Sequence, residues 1–531
     1  MEHSNKKQGR ESINNNIWRK RLPHGAYALL AIMFFSIFSV VNVKDAEAVP
    51  AFARKYVVVC NACHTRQPRL NPYGQRFMEN GYQLPGTADG GRREKHLLGD
   101  QANGVSLDDV SNYLAVRLRA DIQKANYRSQ TGAMRELNVD RDAAEIVVPG
   151  TINLFFAGTA ARDISFFFEA EYDSQDPAES TLAFERSVLM FDNLGGYQLS
   201  SVKLGVFDPS SFFSFPTHRQ QLNPVKAIAE SNEFPPTIAR IPLLPLAFAS
   251  RMFGLTTGPS KLRTSTTAGG DAFTTTEDGF AIMPLEPYLF NAPYQKGISV
   301  YGRPFGNSFL YQLGIAQNKT AEAAPKTRWD QYVMLRYDMQ GEYSNFQVSG
   351  FYYTAGKAAM PTINMNGTLR YAKNAVDWIR YGVGTRWQYK AWDVYGTVIR
   401  DKIDAPDFSG LSAMMGGNSS WETKSSGISI EADYLLNDKW MLGARYDSMN
   451  AGGLLRGNTA APDWNRDMAQ DASFIALLAK YYPAPNIGLY ARYHHNLESS
   501  AKLPTAVNTD NDEHPLSNLA SLLSLGVDMA F

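Results

Sequence analysis

The chain has 531 residues with 52 basic and 52 acidic side chains, so its formal net charge is zero and nothing in its charge recommends a nucleic-acid partner. Aromatic residues make up 12%, with 27 Tyr, 29 Phe and 41 Gly, and the mean hydropathy is −0.30. Beyond residue 48 no apolar run is long enough for a transmembrane helix, so any membrane crossing there would have to be made by strands, and this composition suits strands carrying aromatic girdles.

At the N-terminus Arg19-Lys20-Arg21 precedes an apolar run from Ala26 to about Val41, and Ala46-Glu47-Ala48 supplies the small-x-small pattern of a signal-peptidase site. A retained anchor is the competing reading. The run length and the Ala-x-Ala that follows favour a cleaved signal peptide over residues 1–48, with export of the rest.

Residues 49–111 form the next segment. It contains both cysteines of the chain, in the run Cys60-Asn61-Ala62-Cys63-His64. Cys-x-x-Cys-His is the attachment signature of a c-type haem. On one helical turn the two thiols share a face and can form thioethers to the two vinyl groups, and His64 can present its imidazole to the iron as the proximal metal ligand. A redox dithiol would need a βαβ context, and a structural zinc site a second pair of ligands; neither is nearby. The expectation is one covalent haem c on Cys60, Cys63 and His64. Met78 and His96 are the nearest candidates for the sixth iron position, and the residues do not choose between them. Pro and Gly in Pro68-Arg69-Leu70-Asn71-Pro72-Tyr73-Gly74 and at Gly81 mark turns around one short helical stretch. About sixty residues make a meagre core alone, so the segment is expected to insert into a larger structure.

From residue 112 to 531 the dominant period is two. In Ile379–Lys390 one face reads Ile, Tyr, Val, Thr, Trp, Tyr and the other Arg, Gly, Gly, Arg, Gln, Lys. About sixteen such strands can be placed: 112–125, 145–161, 164–173, 181–193, 197–209, 297–303, 308–318, 330–340, 344–357, 378–390, 391–403, 425–437, 439–450, 472–484, 487–498 and 519–531. Their connections alternate between tight turns, such as Asn437-Asp438, and long polar loops near 405–424, 451–471 and 499–518. That asymmetry describes an all-β transmembrane barrel of the outer membrane, its outer face against lipid; a soluble β protein is the alternative. The last strand carries Leu523, Leu525, Val527, Met529 and Phe531 on one face, with a terminal aromatic of the kind that outer-membrane insertion machinery commonly reads. The inferred lumen face bears both signs of charge: Arg117, Arg119, Asp121, Arg336, Asp338, Glu431, Asp433, Arg445, Asp447, Arg492 and Asp528. A barrel of this size has room for more than its own side chains, and the segment tied to its first strand is the expected plug. His494, beside Arg492, reads as a polar wall residue. Residues 210–296 form a long insertion on the long-loop side, expected to cap the barrel or fold into its lumen.

Together, Pro50-Ala51-Phe52-Ala53-Arg54, the Cys60–His64 motif, Leu70-Asn71-Pro72-Tyr73-Gly74, Phe77 and Gly81-Tyr82 resemble the fused monohaem c-type cytochrome–porin family of outer-membrane iron oxidases. Gly205-Val206-Phe207-Asp208-Pro209 is also similar to that family. The resemblance implies an electron-transfer oxidoreductase in which extracellular ferrous iron is the donor, the single haem is the conduit and a soluble periplasmic c-type cytochrome is the acceptor. On the long-loop side Asp510, Asp512, Glu513 and His514 offer hard oxygen ligands and an imidazole to ferrous ions, although charge runs of this kind more often form a solvated acidic loop. Two alternatives share the architecture: an outward conduit to an extracellular acceptor, and a porin whose haem segment is a structural plug.

Overall fold

The computed structural model describes residues 51–84, 97–98, 107–127, 144–173, 182–196, 198–207, 209, 295–305, 308–317, 329–363, 369–405, 421–451, 471–497 and 519–531, all within one compact unit, Asp45–Phe531. The expected signal peptide, His96, the Asp510–His514 cluster and residues 210–294 of the insertion lie outside the described residues.

Sixteen antiparallel strands close into a barrel. In chain order they are β3 (Leu114–Tyr127), β4 (Ala144–Ala161), β5 (Ile164–Asp173), β6 (Leu182–Leu194), β7 (Ser200–Phe207), β8 (Gln295–Gly302), β9 (Phe309–Gln317), β10 (Trp329–Gln340), β11 (Ser344–Ile363), β12 (Leu369–Tyr389), β13 (Trp392–Ala405), β14 (Trp421–Leu435), β15 (Trp440–Ala451), β16 (Asp471–Ala484), β17 (Ile487–Asn496) and β18 (Leu519–Ala530). Each strand pairs with its sequence neighbour, and β18 closes the barrel on β3 in the register Asp528↔Arg119. Reciprocal backbone bonds between Val116 and Phe531, at 2.7 and 2.9 Å, extend that seam to the last residue. Closure pairs the two edges that an open sheet would expose. All sixteen sequence-placed strands are present; β11 and β12 run longer than expected, to Ile363 and from Leu369.

The alternation is inverted relative to a soluble protein. In β10 the inward residues Asp330, Tyr332, Met334, Arg336 and Asp338 are buried, while Val333, Leu335 and Tyr337 face outward. In β18 Ser524 and Asp528 face in, and Leu523, Leu525 and Val527 face out. Charged residues assigned to the lumen face pair across the wall, Arg445 with Asp447 at 2.8 Å and Glu431 at 3.3 Å and Arg117 with Asp528 at 2.8 Å, and the structure adds Arg386 with Asp393 at 2.7 Å.

The N-terminal segment begins, among the described residues, at Ala51. It consists of α1 (Ala51–Tyr56), a 3-10 turn (Cys60–Ala62), the two-stranded ribbon β1 (His64–Arg66) and β2 (Arg69–Leu70), α2 (Pro72–Glu79) and a second 3-10 turn (Val110–Asn112) leading into β3. Two short helices thus stand where the sequence suggested one. Its own core is an aromatic cluster: Phe52 meets Phe77 edge-on at 5.1 Å and stacks on Tyr82 at 5.1 Å, and Tyr82 stacks on the barrel's Phe167 at 5.5 Å. The segment occupies the barrel end that carries the tight turns. Arg66 donates to the Asp438 carbonyl in the β14–β15 turn at 2.8 Å, Gln388 beside the β12–β13 turn donates to Thr65 Oγ1 at 3.3 Å, and Gln198 near the β6–β7 turn donates to Asn80 at 3.2 Å. The segment is a plug at the short-turn mouth.

Candidate functional site

The Cys60–His64 motif is built by three local devices. Cys60–Ala62 is a 3-10 turn, closed by Cys63 N–H donating to the Cys60 carbonyl at 3.2 Å, and residues i and i+3 eclipse in that geometry. His64 leaves the turn in extended conformation and pairs with Leu70 in the ribbon. Its Nδ1 lies 3.2 Å from the Pro68 carbonyl oxygen. Only a protonated Nδ1 can donate there, which leaves the lone pair on Nε2, the arrangement a metal-ligating imidazole needs.

The turn is fixed from below by α2. Asn71 caps that helix: its Oδ1 accepts from Gly74 N–H at 2.8 Å. The same side chain donates from Nδ2 to the carbonyls of Asn61 at 3.2 Å and Ala62 at 2.9 Å, and Asn71 N–H donates to the Cys63 carbonyl at 2.9 Å. Asn71→Ala is therefore expected to cost about 2–3 kcal/mol of plug stability, a cap of about 1 plus two further bonds of about 1 each. The measurement is amide exchange at Gly74 and Ala62, which should accelerate together while strand amides of β13 and β14 keep their protection.

Burial pushes the Cys63 thiol up to about 11, with the neighbouring Cys60 adding to the shift, and burial raises the Cys60 thiol too. Both are thiols at neutral pH. Val57 and Val59, immediately before Cys60, are 90% and 72% exposed, an unusual placement for two valines flanking half-buried cysteines. The donor set fits a haem c on these observations: an oriented imidazole, two thiols one turn apart, and apolar side chains that a porphyrin edge would cover. Cys60, Cys63 and His64 would hold it.

Two buried charge clusters lock the plug to the wall. Arg69, the first residue of β2 in the ribbon, is 1% exposed and reaches Glu431 and Asp433 of β14, with Asp393 of β13 at 3.7 Å. Its guanidinium lies 4.3 Å from the ring centroid of Tyr395, which Arg386 approaches at 4.8 Å. At the far end of α2, Glu79 takes Arg303 at 2.7 Å and Arg336 at 2.5 Å, and both arginines also bind Asp338. Lys480 and Tyr482 donate to the Gln67 carbonyl at 3.3 and 3.1 Å, covering the ribbon turn from β16. Sequence reasoning named Asp338, Glu431 and Asp433 as lumen charges but gave Arg69 and Glu79 no role. Met78 is buried in α2, and His494 is buried in the β17 wall, where neither ring nitrogen has a hydrogen-bond partner among the described residues. Among the described residues no group of three or more His, Cys, Asp or Glu side chains is placed to hold a metal ion.

The outer face of the barrel carries the same end's second signature. Trp387 stacks with Tyr389 at 5.7 Å, Trp392 meets Tyr434 at 4.7 Å and Trp440 meets Tyr481 at 4.9 Å, all beside the tight turns. Beyond them the exposed outward residues include Val383, Val398, Ile428, Ile430, Leu442 and Leu477. An apolar belt bounded by aromatic pairs, on an even-stranded closed barrel, is a surface made for lipid. The barrel lies in the outer membrane. Its tight turns and the plug therefore face the periplasm.

No family model and no curated protein matches the chain by sequence. Among solved structures it is similar to outer-membrane-expressed OmpT of Vibrio cholerae, at 11% identity and a TM-score of 0.42 over 79% of this chain and 97% of that one. Pseudomonas putida OprB matches at 9% identity and 0.45, over 79% and 94%. An anion-selective porin from Comamonas acidovorans matches at 13% and 0.42, over 79% and 99%. The fold assignment rests on this chain's own strand pairings, which close a porin-like barrel.

Proposed function

We propose that this chain is an outer-membrane electron-transfer protein of the cytochrome–porin type, which oxidises extracellular ferrous iron through one covalent haem c and delivers electrons to a periplasmic c-type cytochrome. The reading is carried by one observation: a Cys-x-x-Cys-His turn, with His64 Nδ1 set against the Pro68 carbonyl, is anchored at the periplasmic mouth of a closed membrane barrel. Haem c bound there supplies a one-electron ferric/ferrous couple. Each ferrous ion gives up one electron and leaves as ferric iron. His64 would hold the haem iron through Nε2, and the Pro68 carbonyl fixes the tautomer and ring plane of the imidazole. Cys60 and Cys63 would hold the group covalently as thioethers and retain it at the mouth of the barrel. Arg69 and Glu79 keep the plug seated, which holds the motif on the periplasmic side, where a soluble acceptor can approach it.

Mixing the purified haem protein with ferrous iron is expected to bring up the α-band of reduced haem, and adding an oxidised periplasmic cytochrome c should bleach it again. His64→Ala should abolish the reduction and leave the barrel folded, as read by heat-modifiable migration on gels. Absence of reduction in the wild type at permissive pH sinks the iron reading; normal kinetics in the variant sink the site. Ordinary single-channel current through the wild type would instead favour a porin whose haem segment is a structural plug.

A further inference from the structure

The outer side of α2 holds a feature unrelated to haem attachment. Gly74 presses on the Cys63 backbone, and Arg76 lies two residues, or about 200°, round the helix from it, on the side facing the wall. There a cavity of about 270 Å³ is lined by Arg76, Ser308, Tyr337, Asp338, Met339 and Gln340, at the periplasmic rim where β10 approaches its turn. One water needs about 10–15 Å³ of space measured in the same way, so the cavity has room for a larger group.

The charges around it do not balance. Three guanidinium groups, Arg76, Arg303 and Arg336, face two carboxylates, Glu79 and Asp338. Both carboxylates are taken by Arg303 and Arg336, at 2.5 to 2.9 Å. Arg76 makes no ion pair among the described residues, and its Nη2 is buried with no hydrogen-bond partner. Burial lowers its pKa, and Arg303 adds to the effect. A buried guanidinium nitrogen without an acceptor costs free energy that an oxyanion would recover. Ser308 is exposed on the barrel side of the cavity, while Tyr337 and Met339 are half exposed on the outward, lipid-facing side of β10. The space thus opens where the inner-leaflet headgroups of the outer membrane lie.

We infer that this cavity is an oxyanion site that takes a phosphate group, carried by a phospholipid headgroup or free in solution, against the Arg76 guanidinium with the Ser308 hydroxyl as second donor. The planar fork of an arginine matches two phosphate oxygens, and Tyr337 and Met339 give an attached lipid an apolar wall to follow.

The test is calorimetric titration of the full chain, folded in phosphate-free neutral detergent at constant ionic strength, with inorganic phosphate. Wild type should bind saturably, Arg76→Gln at least about tenfold more weakly (about 1.4 kcal/mol), and Arg76→Lys in between. Ser308→Ala gives an independent reading from the barrel side and should weaken binding several-fold even if the Arg76 variants fold poorly. Phosphatidylglycerol added to the micelles separates the sources. If it lowers the apparent phosphate affinity of wild type but not of Arg76→Gln, the site takes the headgroup; if it changes neither, the site takes free phosphate. Equal affinity in wild type and both variants, or no binding in wild type, overturns the inference.

Discussion

Arg69→Met will unseat the plug while the barrel stays closed. Methionine keeps most of the buried volume, so the loss is electrostatic. In the wild type Arg69, Arg386 and Arg445 face Asp393, Glu431, Asp433 and Asp447 in one buried cluster. Without Arg69, two guanidinium groups are left against four carboxylates. Breaking a buried ion pair by removing one partner typically costs about 3–5 kcal/mol, because the remaining charge is uncompensated. At about 3 kcal/mol the opened population rises on the order of a hundredfold, and native-state amide exchange reads it directly. The amides of β1, β2 and α2 should exchange faster by about that factor, with β13 and β14 unchanged. Neutralising the partner provides the second arm. Asp433→Asn in the Arg69→Met background should recover most of the protection, since it removes the carboxylate that Arg69 pairs with, restores the cluster's net charge and leaves Asp393 to Arg386. Unchanged exchange in Arg69→Met would mean that the cluster does not hold the plug.

The contrast between the barrel and this latch explains what the chain discloses as a sequence. Each barrel strand alternates its two faces over eight or more positions, so Ile428, Ile430 and Ala432 against Ser429, Glu431 and Asp433 announce β14 without any knowledge of its neighbours. The tight turns are equally local, and the alternation of long and short connections orients the barrel. The Cys60–His64 motif is local too. Arg69 and Glu79 are different. Arg69 meets Glu431 across 362 positions, and Glu79 meets Arg336 across 257. In sequence they are ordinary charges on a short helix-and-turn segment. Their burial follows only once sixteen strands have closed around the segment, and no periodicity in 49–111 carries that information. The mixed-sign lumen face was the one available signal: a wall bearing Asp393, Glu431 and Asp433 within two adjacent strands calls for a buried cation from elsewhere in the chain. Arg76 escapes notice for the same reason, its position being set by which side of α2 meets the wall.

Gly74→Ala is the substitution in which helix propensity and packing make opposite forecasts. Gly74 lies inside α2, where alanine ordinarily stabilises by about 1 kcal/mol. A Cβ there would stand 2.0 Å from the Cys63 carbonyl oxygen and 2.8 Å from its carbon. Both atoms are backbone, so no rotamer change relieves the contact. The helix must retreat from the turn by an ångström or more, and the bond from Asn71 N–H to the Cys63 carbonyl is lost with the contact. Overpacking of about 1–3 kcal/mol and a lost hydrogen bond of about 1 outweigh the propensity gain. Plug stability should therefore fall by roughly 1–3 kcal/mol instead of rising. Covalent haem per chain, measured as a pyridine haemochrome, should fall with it, because the carbonyl that moves belongs to the second cysteine of the motif. Gly350→Ala in β11 is the control, since a Cβ there meets nothing within 4 Å. A stabilised plug with full haem content in Gly74→Ala would show that α2 does not set the geometry of the Cys60–His64 turn.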